Sequence, residues 1–413
     1  MAAIKASILR SWTSWLCATL ASGFITLIVV GSAYAADKAV PTLGGDCCSD
    51  LEQRIAELEA TTARKGNRKV TLTISGIVNE SLMFWNNSDL LGGKADMRVG
   101  NNGVNTSRFN FSGEAHFSPS MKAGFVIEVA QQEWSFLTDV LHIGSSTELY
   151  ARQANAWISG PMGKFTLGRA AQATRDLADN SVANLHDADK ELSMQPFVGS
   201  GMTENLDLYD GQFLDVVRYD SPLMAGFVLS GSWGRDGTGG GTNVNDVWDA
   251  ALRYAGSFQS VKINAGIGYR DGAVFPGLNP LLPFPVVAFD QKTWIVSGSA
   301  MHVPTGLFVD GAAGQAKING LSPNELTVTT WEVRAGVEER WLPVGKTTVF
   351  ALYETAKGDN IPGFNDNAVI YGAGVNQAID GAATNLYFVT KEVQLSNGLP
   401  NAIVGEAGVA VHF

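Results

Sequence analysis

The sequence predicts an all-β protein, a transmembrane antiparallel β-barrel of about 16 strands. Three observations predict it. From residue 69 onward, apolar and polar residues alternate with a period of two, so that each segment has one apolar and one polar face. Short turns that contain Pro or Gly alternate with long polar loops. The last segment, 404–413, alternates in the same way and ends in Phe413.

The composition agrees with a β-rich membrane protein. The chain has 413 residues, of which 46 are Gly and only 17% are charged. No apolar run after the N-terminus is long enough for a transmembrane helix, whereas alternating strands hide their hydrophobicity from a window average. The formal net charge of -11 argues against nucleic acid as a main partner.

The chain begins with a predicted signal peptide, residues 1–35. Lys5 and Arg10 form its positive start, residues 12–30 are largely apolar, and Ala33–Ala35 has the small-residue pattern of a cleavage site. A transmembrane anchor is the alternative, but no cluster of charges follows the apolar run. We therefore predict that the chain is exported.

Residues 36–68 are predicted to be a periplasmic linker with one short helix. Ser49 can cap this helix, and Glu52 stands three residues later, as a capping box requires. The run is too short for a stable coiled coil alone, so a small trimeric stalk and a solvated helix both remain open. Its apolar face would consist of Leu51, Ile55 and Leu58.

No metal or cofactor is predicted. Cys47 and Cys48 are adjacent, which is a poor geometry for a bond between them and leaves intermolecular disulfides open. They have no His or Cys partners at ligand spacing. A calcium site around Asp187 and Asp189 is disfavoured because the spacing matches no defined calcium loop.

The barrel is predicted to span residues 69–413. Residues 108–117 show its cleanest alternation, with aromatic or small residues against polar or charged ones. The short turns imply about eight hairpins, hence an even strand count with both ends on one side. The predicted turns are Ser118–Ser120, Gly160–Gly163, Ser221–Leu223, Ala255–Ser257, Pro304–Gly306, Pro343–Gly345 and one near Gln377–Gly381.

One insert, residues 168–212, is much longer than the other connections and strongly acidic. Long segments without regular structure inside a compact domain are usually functional or disordered. We predict that this insert folds into the barrel lumen and narrows it, with a solvated surface loop as the alternative. The acidic residues predicted to line the constriction are Asp176, Asp179, Asp187, Asp189 and Glu191.

Charged residues within strands are predicted to face the water-filled lumen, since Lys or Arg at the lipid midplane costs roughly 2–4 kcal/mol. Four arginines are therefore candidates for a basic wall opposite the insert, whereas Arg152 is a weaker candidate because its strand has a poor pattern. Arg108, Arg218 and Arg253 have the polar parity of their predicted strands, and Arg169, the fourth, stands just after a predicted strand. Aromatic residues near strand ends are predicted to face outward as interfacial girdles. They are Phe117, Trp157, Tyr219 and Phe413.

The segments 47–59, 69–76 and 163–169, together with the long insert and terminal Phe413, resemble the alphaproteobacterial porin family over the whole mature chain. The resemblance implies a homotrimer of sixteen-stranded barrels whose third loop folds inward and faces a basic wall. It also implies that Phe413 is read as an outer-membrane insertion signal. The expected function is a general diffusion porin that passes small hydrophilic solutes and ions. The expected surroundings are outer-membrane lipid and lipopolysaccharide.

Three other functions have weaker support in the sequence. An eighteen-strand channel for specific substrates would need an aromatic slide, but the ten tryptophans are dispersed along the chain. A structural or adhesive envelope protein would need a longer stalk than the predicted helix. An outer-membrane enzyme would need a nucleophile with a positioned base, and only His186 has a neighbouring acid in sequence. We therefore predict a channel and no enzyme.

Overall fold

The computed structural model describes most of the chain after residue 69. The described ranges are 70–86, 96–102, 105–131, 149–188, 211–236, 245–274, 289–319, 325–359, 367–395 and 401–413. Within them, no helix has both the length and the apolar character needed to cross a membrane. The predicted signal peptide, the linker helix and both adjacent cysteines lie outside the described residues.

Most described residues belong to β-strands. The strands are β1 (Thr71–Trp85), β2 (Asp96–Asn101), β3 (Arg108–Ser118), β4 (Met121–Gln131), β5 (Leu149–Gly160), β6 (Gly163–Ala171), β7 (Phe213–Asp220), β8 (Phe227–Asp236), β9 (Asn245–Phe258), β10 (Val261–Val274), β11 (Phe289–His302), β12 (Leu307–Asn319), β13 (Leu326–Leu342), β14 (Gly345–Asp359), β15 (Asn367–Ile379), β16 (Thr384–Leu395) and β17 (Ala402–His412). A single 3₁₀ turn, Asp380–Ala382, separates β15 from β16 among the described residues.

The sheet closes into a barrel because the first and last strands pair. Residues 77–85 of β1 lie antiparallel to residues 404–412 of β17. On its other side, β1 pairs with β3 through residues 71–77 and with β2 through residues 80–85. Because β2 and β3 share one place beside β1, the 17 segments occupy 17 minus 1, or 16, positions. The predicted antiparallel barrel of about sixteen strands is confirmed.

The two faces of the barrel differ in the way that a membrane and a watery lumen require. On β13, the outward side chains of Trp331 and Val333 are 42% and 43% exposed. Glu332 and Arg334, which alternate with them, are at most 1% exposed and point into the barrel. An apolar outer face with charged residues inside is the reverse of a soluble barrel, and it is the pattern that transmembrane barrels show.

The turn predicted at Ala255–Ser257 is wrong by a few residues. Strand β9 continues to Phe258, and the turn follows at Gln259, whose φ of 52° is left-handed. Gly256 lies beneath the ring of Tyr254, where a Cβ atom would collide with the ring. This glycine therefore permits an aromatic packing contact instead of marking a turn.

A β-bulge interrupts the pairing of β4 with β5. Glu128 pairs with Gln153 and Val129 with Ala151, so Arg152 is the extra residue on β5. A bulge shifts the alternation of side chains by one residue along the strand. This shift explains the poor sequence pattern around Arg152, whose side chain is turned inward and only 10% exposed.

Residues 172–188, which we call the lumen segment, pack against the inner face of the barrel. Leu177 is 1% exposed and lies against Gly266 and Gly268 of β10, where a Cβ atom would overlap its methyl groups. Leu185 is fully buried in a cluster that includes Phe308 and Phe350. At these two leucines, the inner wall carries small or apolar residues that make room for the lumen segment.

Candidate functional site

The lumen segment contacts successive strands as it runs along the inner wall. Its first part, residues 172–180, contacts β7 to β11, and we call this the proximal half. Its second part, residues 181–188, contacts β11 to β17, and we call this the distal half. The two halves differ in the side-chain bonds that add to their backbone contacts.

The proximal half is held mainly by wall side chains that bond its backbone. Arg218 Nη1 donates to the carbonyl oxygens of Ala171 and Gln172, at 3.0 Å each. Arg253 Nη2 donates to the carbonyl oxygen of Arg175 at 2.6 Å. The same guanidinium of Arg218 is held by Asp220, with its Nη2 2.7 Å from the carboxylate.

Asp249 adds an acidic anchor to the proximal half. Its Oδ2 accepts hydrogen bonds from the backbone N–H of Thr174 at 2.6 Å and from the Thr174 hydroxyl at 2.7 Å. Farther along, Ser297 Oγ donates to the carbonyl oxygen of Leu177 at 2.5 Å. These bonds fix the backbone of the proximal half onto β9 and β11.

The distal half is held through its backbone and also through polar side chains of its own. Asp187 is the centre of this contact, with 3% of its side chain exposed. Its carboxylate accepts hydrogen bonds from Asn105 Nδ2 at 2.6 Å, from Asn385 Nδ2 at 2.6 Å and from His412 Nε2 at 2.7 Å. Asp187 thus joins the lumen segment to β16, β17 and the link between β2 and β3.

The surroundings of Asp187 favour its ionised form. Burial by itself would raise the pKa of this carboxyl group. The hydrogen bonds from His412, Asn385 and Asn105, together with the nearby His412 ring, outweigh burial and keep the pKa of Asp187 below its usual value. The charge of Asp187 is consequently part of the bond between segment and wall.

Two further residues of the distal half contact the wall, Ser181 through its side chain and Asn184 through its backbone. Ser181 Oγ donates to Asp310 Oδ2 at 2.6 Å. The backbone N–H of Asn184 donates to Glu338 Oε2 at 2.8 Å, and its carbonyl oxygen accepts from Asn376 Nδ2 at 2.6 Å. Because the backbone N–H of Val182 also donates to Ser299 Oγ of β11 at 2.9 Å, the distal half spans the wall from β11 to β17.

The predicted acidic residues of the insert differ sharply in exposure. The side chain of Asp176 is 51% exposed and lies 3.1 Å from Arg175 Nε. The side chain of Asp179 is only 6% exposed and pairs with His186, which is itself 50% exposed. Asp187 is buried as described above. Asp189 and Glu191 lie outside the described residues.

Three inward-facing arginines lie close together: Arg108 of β3, Arg152 of β5 and Arg175 of the lumen segment. Arg108 and Arg152 share the carboxylate of Glu128, at 3.8 Å and 2.9 Å. Arg152 and Arg175 both lie over the ring of Phe213, with Cζ 4.3 Å and 5.2 Å from its centroid. Arg152 thus faces inward, although the bulge hides its parity in the sequence.

Arg169 does not join this cluster. It has the parity of Phe165 and Leu167, which are 56% and 65% exposed on the outer face. Its Nε donates to the carbonyl oxygen of Ala151 at 3.1 Å. The prediction assumed that the strand had ended before Arg169, whereas β6 continues to Ala171 and keeps the alternation.

Trp157 is also on the opposite face from the one predicted. It pairs with Gly124 and Thr166, and its neighbour Ile158 is the residue exposed on the outside at 51%. Alternation along a strand therefore turns the indole ring into the barrel. The prediction used nearness to a strand end, which does not determine the face.

The wall of β12 to β14 carries a charged group that sequence reasoning missed. Arg334 is fully buried, 3.6 Å from Asp310 and 3.4 Å from Glu332. Glu354 lies directly across from Glu332 in the sheet and is also fully buried. In the sequence, Glu332 and Arg334 alternate with the apolar residues Trp331 and Val333. This alternation was a signal from which their inward facing could have been predicted. Within the described ranges, no three His, Cys, Asp or Glu side chains are grouped as metal ligands.

Phe413 completes the closure of the barrel. Its backbone N–H donates to the carbonyl oxygen of Gly76 at 3.1 Å, and its own carbonyl oxygen accepts from the N–H of Gly76 at 2.9 Å. The ring is 61% exposed and covers Gly76. The terminal residue is thus paired with the first strand.

A closed antiparallel barrel with an apolar outer face and a polar, charged interior defines the class of transmembrane barrel channels of the outer membrane. A sequence-family profile described as Gram-negative porin matches residues 26–398 of this chain. The chain therefore belongs to the Gram-negative porin family, and the protein is a porin of the outer membrane.

Several solved structures are similar in fold. The anion-selective porin from Comamonas acidovorans is 15% identical, with a TM-score of 0.61 over 83% of this chain and 100% of that one. The trimer form of OmpT, an outer membrane protein of Vibrio cholerae, is 13% identical, with a TM-score of 0.56 over 83% and 99%. OmpF of Salmonella typhi, in complex with daunomycin, is 11% identical, with a TM-score of 0.54 over 85% and 100%. No curated protein sequence matches the chain.

Proposed function

We propose that the protein is a general diffusion pore. Its narrowest section lies between the lumen segment on one side and Arg108 and Arg152 of the wall on the other. The observation that carries this proposal is the anchoring of residues 172–188 to inward-facing side chains from β7 to β17. A chain segment on the inner wall takes up cross-section that water and solutes would otherwise occupy. Small hydrophilic solutes and ions are therefore the cargo that we assign.

Exposed charge at this section gives the pore its selectivity. Asp176 is the exposed acid of the described part of the lumen segment, and Arg108 is close enough to interact with it electrostatically. Opposite charges across a narrow watery passage align dipolar solutes and bias the passage of ions. Asp189 and Glu191 are proposed to add to the acidic side.

The outward direction of several tryptophans favours a general pore over a substrate-specific one. Trp233, Trp248, Trp294 and Trp331 are all at least 40% exposed on the outer face. They belong to the lipid boundary and supply no continuous aromatic slide through the lumen. The cargo is then selected by size and charge.

We propose no catalytic activity for this pore. The His412–Asp187 contact belongs to the anchor of the distal half. The His186–Asp179 contact joins two residues of the lumen segment itself. Nucleophilic catalysis needs a base that is oriented toward a nucleophile, and neither contact is proposed to serve that role.

A homotrimer in outer-membrane lipid and lipopolysaccharide is the proposed assembly. OmpT of Vibrio cholerae, which shares the fold, has a trimer form. Phe413 is proposed to act as the insertion signal, since it ends the strand that closes the barrel.

Planar-bilayer recording of the purified protein tests the proposed function. We expect stepwise conductance, with openings grouped in threes, and a reversal potential under a salt gradient. The sign of that potential reports whether the exposed acids or the arginines dominate the narrow section. A folded, heat-modifiable barrel that inserts but carries no ion current would overturn the proposal.

A further inference from the structure

A group of inward side chains lies near the short turns, away from the lumen segment's anchors. Lys122 is the second residue of β4, and Lys164 is the second residue of β6. Both pair across the sheet with Ser159 of β5, so they flank it in one row. Both have inward parity, because Thr166 and Glu128 on the same faces are 6% exposed. Short turns lie on the periplasmic side of such barrels.

Trp157 lies between the two lysines. It is two residues from Ser159 along β5, on the side away from the short turns. Lys164 Nζ is 4.9 Å and Lys122 Nζ is 5.6 Å from the centroid of its indole ring. The ring packs against Gly124 of β4, where a Cβ atom would collide with it. A glycine thus makes room for the indole on the inner wall.

The two lysines differ in how far their charge is neutralised. Lys122 Nζ forms an ion pair with Glu114 at 3.0 Å. Lys164 Nζ forms neither a hydrogen bond nor an ion pair with any residue in the described ranges. Its cross-strand neighbour Asp220 accepts from Arg218 at 2.7 Å and from Ser230 at 2.6 Å. Lys164 therefore retains donors for an incoming anion.

We propose that Lys164, Trp157 and Lys122 form a weak binding site for small aromatic carboxylates on the periplasmic side of the lumen. The carboxylate would pair with the ammonium group of Lys164, and the ring would contact the indole of Trp157. Charge-assisted bonds and aromatic contacts act together in such a site, each contributing modestly. A solute bound in this way is held during transit and then released, as conduction requires.

This inference rests on the proposed pore and adds a solute class to it. An aromatic ring without charge lacks the bond to Lys164, and a carboxylate without a ring lacks the contact with Trp157. Benzoate carries both groups, whereas acetate carries only the carboxylate and benzyl alcohol only the ring. A comparison of the three probes therefore separates these contributions. The site therefore predicts that benzoate interacts more strongly than either partial analogue.

The test is current recording through single channels while each probe is added to the periplasmic side. We expect benzoate to produce brief current interruptions or added noise that saturates with concentration. Acetate and benzyl alcohol should have effects weaker by roughly fivefold or more. NMR line broadening of benzoate by the detergent-solubilised protein gives a second readout that does not depend on conductance.

Single substitutions test whether benzoate acts at these residues. Lys164→Gln and Trp157→Leu should each weaken the benzoate effect by roughly fivefold while ion conductance persists. Lys262→Gln is the matched control. Lys262 is also the second, inward-facing residue of a strand that follows a short turn, but it has no described aromatic partner. Should Trp157→Leu fail to fold, Lys164→Gln alone decides.

Three results would overturn the inference without touching the pore itself: no benzoate effect in a conducting channel, an equal effect of acetate, or an undiminished effect in Lys164→Gln. An equal loss of the benzoate effect in Lys262→Gln would likewise contradict it, because general lumen charge would then explain binding. Absence of ion current would instead count against the proposed pore.

Discussion

Both halves of the lumen segment form backbone hydrogen bonds with wall side chains, but the distal half also binds the wall through a buried carboxylate of its own. In the proximal half, the arginines Arg218 and Arg253 of the wall donate to backbone carbonyls of the segment. In the distal half, the segment supplies a side chain of its own, Asp187, to donors of the wall. Carbonyl oxygens are present whatever the sequence, whereas a carboxylate is not. The distal half should therefore be more sensitive to substitutions within the segment, and the proximal half to substitutions in the wall.

Asp187→Ala should have the largest effect. The substitution removes three hydrogen bonds and leaves the buried amides of Asn105 and Asn385 without their acceptor. Hydrogen bonds to a buried charge are strong, so the attachment should weaken by about 3 kcal/mol. We expect a larger and noisier single-channel conductance, because the distal half then leaves the wall. Planar-bilayer recording measures both quantities.

Asp176→Ala is the control for that variant, because Asp176 is an exposed acid of the same segment. It should leave conductance noise at the wild-type level. Equal noise in both variants would mean that the contacts of Asp187 do not hold the distal half.

Acidification of the wild-type protein should raise the channel noise in the same way as Asp187→Ala. The pKa of Asp187 is lowered from its ordinary value of 3.8, so its ionised form stabilises the folded anchor above that pH. This contribution is lost as the pH falls through the lowered pKa. Channel noise should therefore rise below pH 3.8 in the wild type and change less in Asp187→Asn. Recording both proteins across an acid titration compares them, and parallel curves would contradict the assignment.

Arg253→Gln tests the proximal half and should have a smaller effect. It removes the bond of 2.6 Å to the carbonyl oxygen of Arg175, while Arg218 and Asp249 still hold neighbouring residues. We expect a loss of about 1 kcal/mol from the attachment and a modest rise in conductance. Arg169→Gln is the matched control, since Arg169 is on the outer face. A larger effect of Arg169→Gln than of Arg253→Gln would contradict the assignment of Arg253 to the inner face and of Arg169 to the outer face.

The barrel was predictable from sequence because strand alternation is a local signal. The strands and most turns follow from the period of two and from Pro and Gly positions. The facing of individual residues was less predictable, since it depends on where a strand ends and whether it bulges. A bulge hides the inward facing of Arg152 from the sequence, and β6 continues to Ala171, which places Arg169 on the outer face and not on the predicted inner one.

The roles of the acids depend on partners far away in sequence. Asp187 bonds to Asn385, 198 residues later, and no local pattern reveals such a donor. Composition correctly marked residues 168–212 as acidic, but it could not separate an exposed charge from a buried anchor. Burial and bonding partners make that separation, and they arise only when the segment meets the wall.

Asp176→Asn should have the smallest structural effect and isolates charge from attachment. Its side chain is 51% exposed, and its partner Arg175 also stacks on Phe213. Exposed ion pairs contribute little to stability, commonly less than about 1 kcal/mol. The substitution removes one negative charge from the proposed narrow section, so the reversal potential should move toward anion preference while conductance and its noise stay unchanged. A raised noise level would show that Asp176 is an anchor like Asp187, and the contrast between exposed charge and buried attachment would then fail.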